Sequence, residues 1–165
     1  IKVVHQAGKG KAEPVKLRYE QLSYLSQKTH KPQENTFAEG SENTVLEFID
    51  DIPAEFAKAD IVICRAGALT VSEVAATESC AIFVPLPIAV DDHQTYNARS
   101  LSDKHAAILI QQDKLAENLY SQLDDLLSNP EKIIEMGRKA RSLCIQDATL
   151  KVTSAIVQEG KRGTL

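Results

Sequence analysis

Apolar and polar positions along the chain alternate between two kinds of pattern. Five short apolar runs stand out: "IKVVH" at 1–5, "VLEFI" at 45–49, "IVIC" at 61–64, "AIFV" at 81–84 and "AAILI" at 106–110. Most are continuous rather than alternating, which suits strands covered on both faces. Between and after them the apolar residues recur at helical spacing. Helices are predicted over 15–27, with apolar residues at Leu17, Leu22 and Leu25, from Pro53 through "PAEFAKA", and over 69–78 and 92–104. Three more are predicted over 115–128, 130–143 and 149–159, the last two as a closing segment packed on the rest. The stretch "KPQENTFAEGSEN" at 31–43 is polar without a period and reads as a loop.

Strand and helix in alternation predict an α/β fold: a Rossmann-like parallel sheet with helices on both faces and right-handed crossovers. In such sheets every strand ends at one edge, and ligands bind just outside it. Ile49, the segment 65–73 and the segment 91–94 all follow predicted strands, so they are expected to meet in one cleft. The 165 residues are sized for a single domain or for half of a larger protein. Because the chain starts at Ile1 within a strand-like run, it is expected to be a fragment.

Composition narrows the function classes. Hydrophobic residues make up 43% and charged residues 25%, an ordinary globular balance. A net charge of -4 argues against broad nucleic-acid binding, which requires a basic surface to neutralise phosphates. Cys64, Cys80 and Cys144 are far apart and form no CxxC pair, so they read as reduced, mostly buried thiols rather than zinc ligands. No metal and no cofactor are expected. The longest apolar stretch, "AIFVPLPIAV" at 81–90, is too short to span a bilayer and is interrupted by two prolines.

Three segments carry candidate chemistry. In "CRAGALTVSE" at 64–73, Gly67 is free to take a positive φ and to let a ligand approach the backbone. The N–H groups of Ala68, Leu69 and Thr70 then open a helix, a ready site for phosphate. Glu73 has two readings. Thr70-x-x-Glu73 fits a capping box, in which the glutamate serves its own helix; alternatively its two oxygens accept bonds from the vicinal hydroxyls of a ribose. Val71, Val74 and Ala75 share a core-facing stripe. In "FIDD" at 48–51, Asp50 or Asp51 is expected to cap the next helix, and the peptide of Ile49 offers a donor and an acceptor matching the edge of a uracil. In "DDHQTYN" at 91–97, Asp92 is a further cap, while His93 and Gln94 lie in a first turn, the amide able both to donate to and to accept from sugar hydroxyls. "HQAGKGK" at 5–11 lacks the GxxxxGK[ST] pattern and is no P-loop.

Taken together, "HQAG" at 5–8, "FIDD", "CRAGALTVSE" and "DDHQTYNA" at 91–98 resemble the MurG transferase family along essentially the whole chain. That family moves N-acetylglucosamine (GlcNAc) from UDP-GlcNAc to lipid I, giving lipid II for peptidoglycan. The resemblance implies the C-terminal, donor-binding half of a two-domain GT-B enzyme, with the first strand of its sheet and the acceptor half absent. It further implies that Ile49 reads uracil through its backbone. Ala68, Leu69, Thr70, Val71 and Ser72 would line the diphosphate and sugar, Glu73 would hold the ribose, and Gln94 with His93 would contact the GlcNAc hydroxyls. Implied partners are UDP-GlcNAc, lipid I through the other half and the cytoplasmic face of the bacterial inner membrane. Transfer in that family inverts the anomeric carbon by direct displacement, with the base expected in the other half, so no catalytic residue is assigned here. "TESCA" at 77–81 departs from relatives, which often place a glycine and a proline before this strand. Two alternatives remain: another UDP-sugar enzyme of the same architecture, such as a UDP-GlcNAc 2-epimerase, or a non-catalytic nucleotide-binding module.

Overall fold

The computed structural model describes residues 1–28, 43–88, 90–145 and 147–162. They form two compact units, Ile1–Ile52 and Pro53–Leu165. In the first unit, strand β1 (Val4–Gln6) and strand β2 (Thr44–Leu46) pair in parallel, His5 opposite Val45. Helix α1 (Ala12–Lys28) forms the crossover's described part. The only buried strand residue of this pair is Val45.

The second unit carries the larger core. It runs through α2 (Ile52–Lys58), β3 (Ile61–Cys64), α3 (Ala68–Ala76), β4 (Cys80–Phe83), α4 (His93–Ser102), β5 (Ile108–Leu109), α5 (Leu115–Ser128), α6 (Pro130–Leu143) and α7 (Ala148–Arg162). Its parallel sheet has the order β3-β4-β5. Every residue of the central strand β4 is buried, as a continuous apolar run requires. Successive side chains on a strand point to opposite faces. Ala81 and Phe83 accordingly pack with Val71, Val74, Ala98, Leu101 and Ala140, whereas Cys80 and Ile82 pack with Leu126, Leu119, Leu123 and Met136. Helices therefore cover both faces of β4, α3 and α4 on one side and α5 on the other.

All seven predicted helices and all five strands are present, with differences at their ends and in their grouping. The strands fall into two parallel sheets rather than one series. β5 is only two residues long, because Ala106 and Ala107 belong to the preceding turn, where His105 takes φ 55°. The expected packing of the closing helices holds for α6, whose Ala140 is fully buried, but not for α7, which exposes Leu150, Val152, Ile156 and Val157. Apart from Asn43, the predicted loop at 31–43 lies outside the described residues.

The departure at 77–81 has a definite geometry. Glu78 adopts φ 59°, the left-handed conformation that glycine takes without steric penalty. Its N–H donates to the Ala75 carbonyl at 3.4 Å, and the Ser79 N–H to the Val74 carbonyl at 3.2 Å, so α3 closes in a Schellman motif with a glutamate in the usual glycine position. Thr77 and Ser79 share a hydroxyl–hydroxyl bond of 2.8 Å, and Ser79 Oγ donates to the Phe56 carbonyl at 3.1 Å. Hydroxyls thereby fasten this turn.

Candidate functional site

In a parallel sheet Cys64 and Phe83 end their strands at one edge, and the segments leaving that edge hold most of the candidate residues. Gly67 is the N-cap of α3 with φ -62° and ψ 149°, so the expected positive φ is not used. A methyl group placed on it would meet only Thr70 Oγ1, at 3.8 Å. Neither backbone strain nor close packing accounts for the glycine; what it leaves is an open approach to the helix start. The first intrahelical bond runs from the Val71 N–H to the Gly67 carbonyl at 3.0 Å. The N–H groups of Ala68, Leu69 and Thr70 therefore have no acceptor in the helix, and they stand where the helix dipole is positive.

Side chains in this turn divide. Val71 is buried in the core, so it offers a ligand nothing beyond its backbone. The hydroxyl of Ser72 donates to the Ala68 carbonyl at 3.0 Å. Leu69 is 72% exposed.

Because α3 begins at Ala68, Thr70 sits inside the first turn and Glu73 in the second, and the capping box is not formed. The predicted local role of Glu73 is thus removed. Its half-buried carboxylate accepts no hydrogen bond and forms no salt bridge among the described residues. It faces the end of β3 closely enough to act on Cys64: burial, and secondarily the Glu73 charge, push that thiol up to about 12.

Four hydrogen bonds link the β3 exit, the β4 exit and α4 to one another. Arg65 Nη1 donates to the carbonyls of Val84 at 3.0 Å and Pro85 at 3.1 Å. The Leu86 N–H donates to Gln94 Oε1 at 3.0 Å. Asn97 Nδ2 donates to the Ala66 carbonyl at 3.1 Å. Gln94 and the 65–73 segment are thereby held at one sheet edge, with His93 exposed in the same turn as Gln94. The amide oxygen of Gln94 already accepts one bond, which fixes the amide's orientation and leaves its NH₂ group facing away from Leu86. Asp92 is the N-cap of α4 but makes no side-chain cap; its carboxylate accepts from Thr95 Oγ1 at 2.6 Å, since φ 52° at Asp92 turns it away from the helix's N–H groups.

Ile49 belongs to the other unit. Its N–H, expected to be free, donates to Gln6 Oε1 at 2.8 Å, the two residues standing on neighbouring strand exits of the β1–β2 pair. Sequence reasoning placed Arg65 in the cleft only as part of the 65–73 segment, without a role, and did not single out Asn97. The signal at Arg65 is a strong donor directly after β3, where carbonyls turn away from the ladder and need partners, whereas Asn97 lies inside α4 and carries no such signal.

The profile of the glycosyltransferase family 28 C-terminal domain matches residues 1–155. A protein of Pseudoalteromonas atlantica named "UDP-N-acetylglucosamine--N-acetylmuramyl-(pentapeptide) pyrophosphoryl-undecaprenol N-acetylglucosamine transferase" is 45% identical, covering 93% of this chain and 37% of its own length. The protein of that name from Shewanella sediminis is 43% identical over 96% of this chain and 40% of its own. The crystal structure of Acinetobacter baumannii MurG superposes with a TM-score of 0.77 at 38% identity, over 95% of this chain and 43% of that one. The chain thus spans less than half the length of the relatives it matches, and over residues 1–155 it belongs to the glycosyltransferase family 28 C-terminal domain family.

Proposed function

We propose that this chain binds UDP-GlcNAc and serves as the donor half of a glycosyltransferase that transfers GlcNAc to lipid I, forming lipid II. The observation that carries the reading is Glu73: a half-buried carboxylate with no hydrogen-bond donor among the described residues, one helical turn behind a row of first-turn N–H groups. A diphosphate matches those N–H groups, and a ribose diol matches the carboxylate. Gln94, with His93 beside it, is assigned to the sugar hydroxyls. Ala68, Leu69, Thr70 and Ser72 line the diphosphate and sugar, with Val71 contributing only backbone. Ile49 is assigned to the uracil through its peptide, once Gln6 releases the N–H.

In this reading the reaction is a direct displacement at the anomeric carbon. The start of α3 stabilises the negative charge that accumulates on departing UDP, an effect that grows in a site from which water is excluded. The acceptor, lipid I, and the base that takes its proton are assigned to the remainder of the enzyme, which docks on the cytoplasmic face of the inner membrane. Calorimetric titration with UDP, UDP-GlcNAc and ADP tests the donor assignment. Tightest binding of UDP-GlcNAc is expected, and a preference for ADP overturns it.

A further inference from the structure

We propose that Arg65 is a positioning residue for sugar recognition, acting on Gln94 through the loop formed by Val84, Pro85 and Leu86; this rests on the donor-site reading above. The loop leaves β4 in an irregular path. Two successive carbonyls, of Val84 and Pro85, converge on a single nitrogen of the Arg65 guanidinium, at 3.0 and 3.1 Å. Extended strand points successive carbonyls in opposite directions, so this convergence marks the point where the chain turns out of the sheet. Pro85 has no N–H, and the next donor, Leu86 N–H, aims at Gln94 Oε1 at 3.0 Å.

A backbone N–H can only donate, which settles the amide of Gln94: its oxygen faces Leu86 and its NH₂ faces away. Gln94 therefore turns two donors away from the loop, while its oxygen is anchored on Leu86; outward donors recognise oxygen lone pairs such as those of sugar hydroxyls. The same β3 exit holds α4 directly, because Asn97, one helical turn beyond Gln94, donates to the carbonyl of Ala66, Arg65's neighbour, at 3.1 Å. Gln94 is thus held between two ties that start from adjacent residues. Replacing Arg65 unties the loop, lets Leu86 swing and leaves the Gln94 amide able to flip.

The test uses the full-length protein that carries this chain, with calorimetric affinities for UDP-GlcNAc and for UDP alone. Arg65→Met keeps the apolar stem and removes the donors. It is expected to weaken UDP-GlcNAc binding about 5–10-fold, the size of one ordinary hydrogen bond, while UDP binding stays within about twofold. Arg65→Lys, which keeps a cationic donor on a flexible stem, is expected to restore most of the discrimination. In combination with Gln94→Ala, Arg65→Met should add no further loss, since residues acting through one contact are non-additive. Equal losses for UDP and UDP-GlcNAc, or losses that add in the double variant, overturn the positioning role. A wild-type protein that binds neither ligand overturns the donor-site reading and this proposal with it. Wild-type discrimination that persists in Arg65→Met overturns the proposal alone.

Discussion

Gln6 and Ile49 are joined by a hydrogen bond of 2.8 Å in which the amide oxygen of Gln6 accepts from the peptide N–H of Ile49. The side-chain oxygen occupies the donor that a uracil carbonyl would use. Binding through that peptide then requires an exchange of acceptors, and part of the ligand's gain is lost in breaking the internal bond. Gln6→Met removes the competitor and is expected to tighten UDP binding up to about fivefold, because a net hydrogen bond is worth about 1 kcal/mol. Ile49→Pro, which lacks the N–H, should weaken UDP by a similar factor, while Ile49→Val leaves it unchanged. Circular dichroism of each variant checks that the fold persists. Unchanged UDP affinity in both folded Gln6→Met and Ile49→Pro refutes the assignment.

For Glu73, loss of the capping box sharpens the expected outcome. With no hydrogen-bond or ion-pair partner to lose among the described residues, Glu73→Gln should leave thermal stability nearly unchanged. If the carboxylate holds ribose hydroxyls, UDP affinity falls by about 1.5–3 kcal/mol, the range for hydrogen bonds to a charged group. Titrating 2′-deoxy-UDP against wild type probes the same bond from the ligand's side. Equal affinity for UDP and its deoxy analogue would remove the ribose from this residue.

These two residues also mark where sequence reading succeeds and where it stops. Periodicity placed Val71, Val74 and Ala75 on the buried face of α3, and they are buried, because burial follows from spacing alone. The start of that helix was legible to within one residue, Ala68 against the expected Leu69, but "TVSE" imitates a capping box that does not form, because the N-cap is Gly67 and not Thr70. The engaged oxygen of Gln94 was illegible for another reason. It depends on a Leu86 N–H freed by the turn that Arg65 holds, a tertiary arrangement spanning three elements. Likewise, apolar runs announced five strands but carried no information on which of them share a ladder, so the two sheets were read as one.

The close of α3 yields a stability prediction. Gly137 in α6 packs so closely on the turn that a methyl group there would overlap the carbonyl oxygen of Glu78. That obstacle is backbone held in a Schellman motif and flanked by the Arg141 bond to the Ala76 carbonyl at 2.7 Å, so it has little room to move. Gly137→Ala should therefore destabilise by about 1–3 kcal/mol despite the better helix propensity of alanine. Glu78→Gly relieves the left-handed backbone and should be more stable than Glu78→Ala by about 1 kcal/mol. Urea unfolding midpoints measure both. A stabilised Gly137→Ala variant would mean that α6 does not press on this turn.

A pH dependence follows from Cys64. Its ordinary value of 9.0 is pushed up to about 12 by burial first and by the Glu73 carboxylate second, and burial also lifts Cys80 to about 11. A raised value means that the folded chain keeps the thiol proton where the unfolded chain releases it. The resulting stability is complete below about pH 9 and declines as pH climbs toward 12. Wild type should accordingly lose stability more steeply between pH 9 and pH 11 than Cys64→Ala, whatever the two share at pH 7. Glu73→Gln removes the smaller cause, so its decline should be slightly shallower than that of wild type. The native thiol should also resist alkylation at pH 8 and react only as the chain unfolds, because the thiolate is the nucleophile. Urea midpoints taken across this range decide the matter, the slopes mattering rather than the absolute values. Parallel curves for wild type and Cys64→Ala would show that the thiol ionises as readily in the folded chain as outside it.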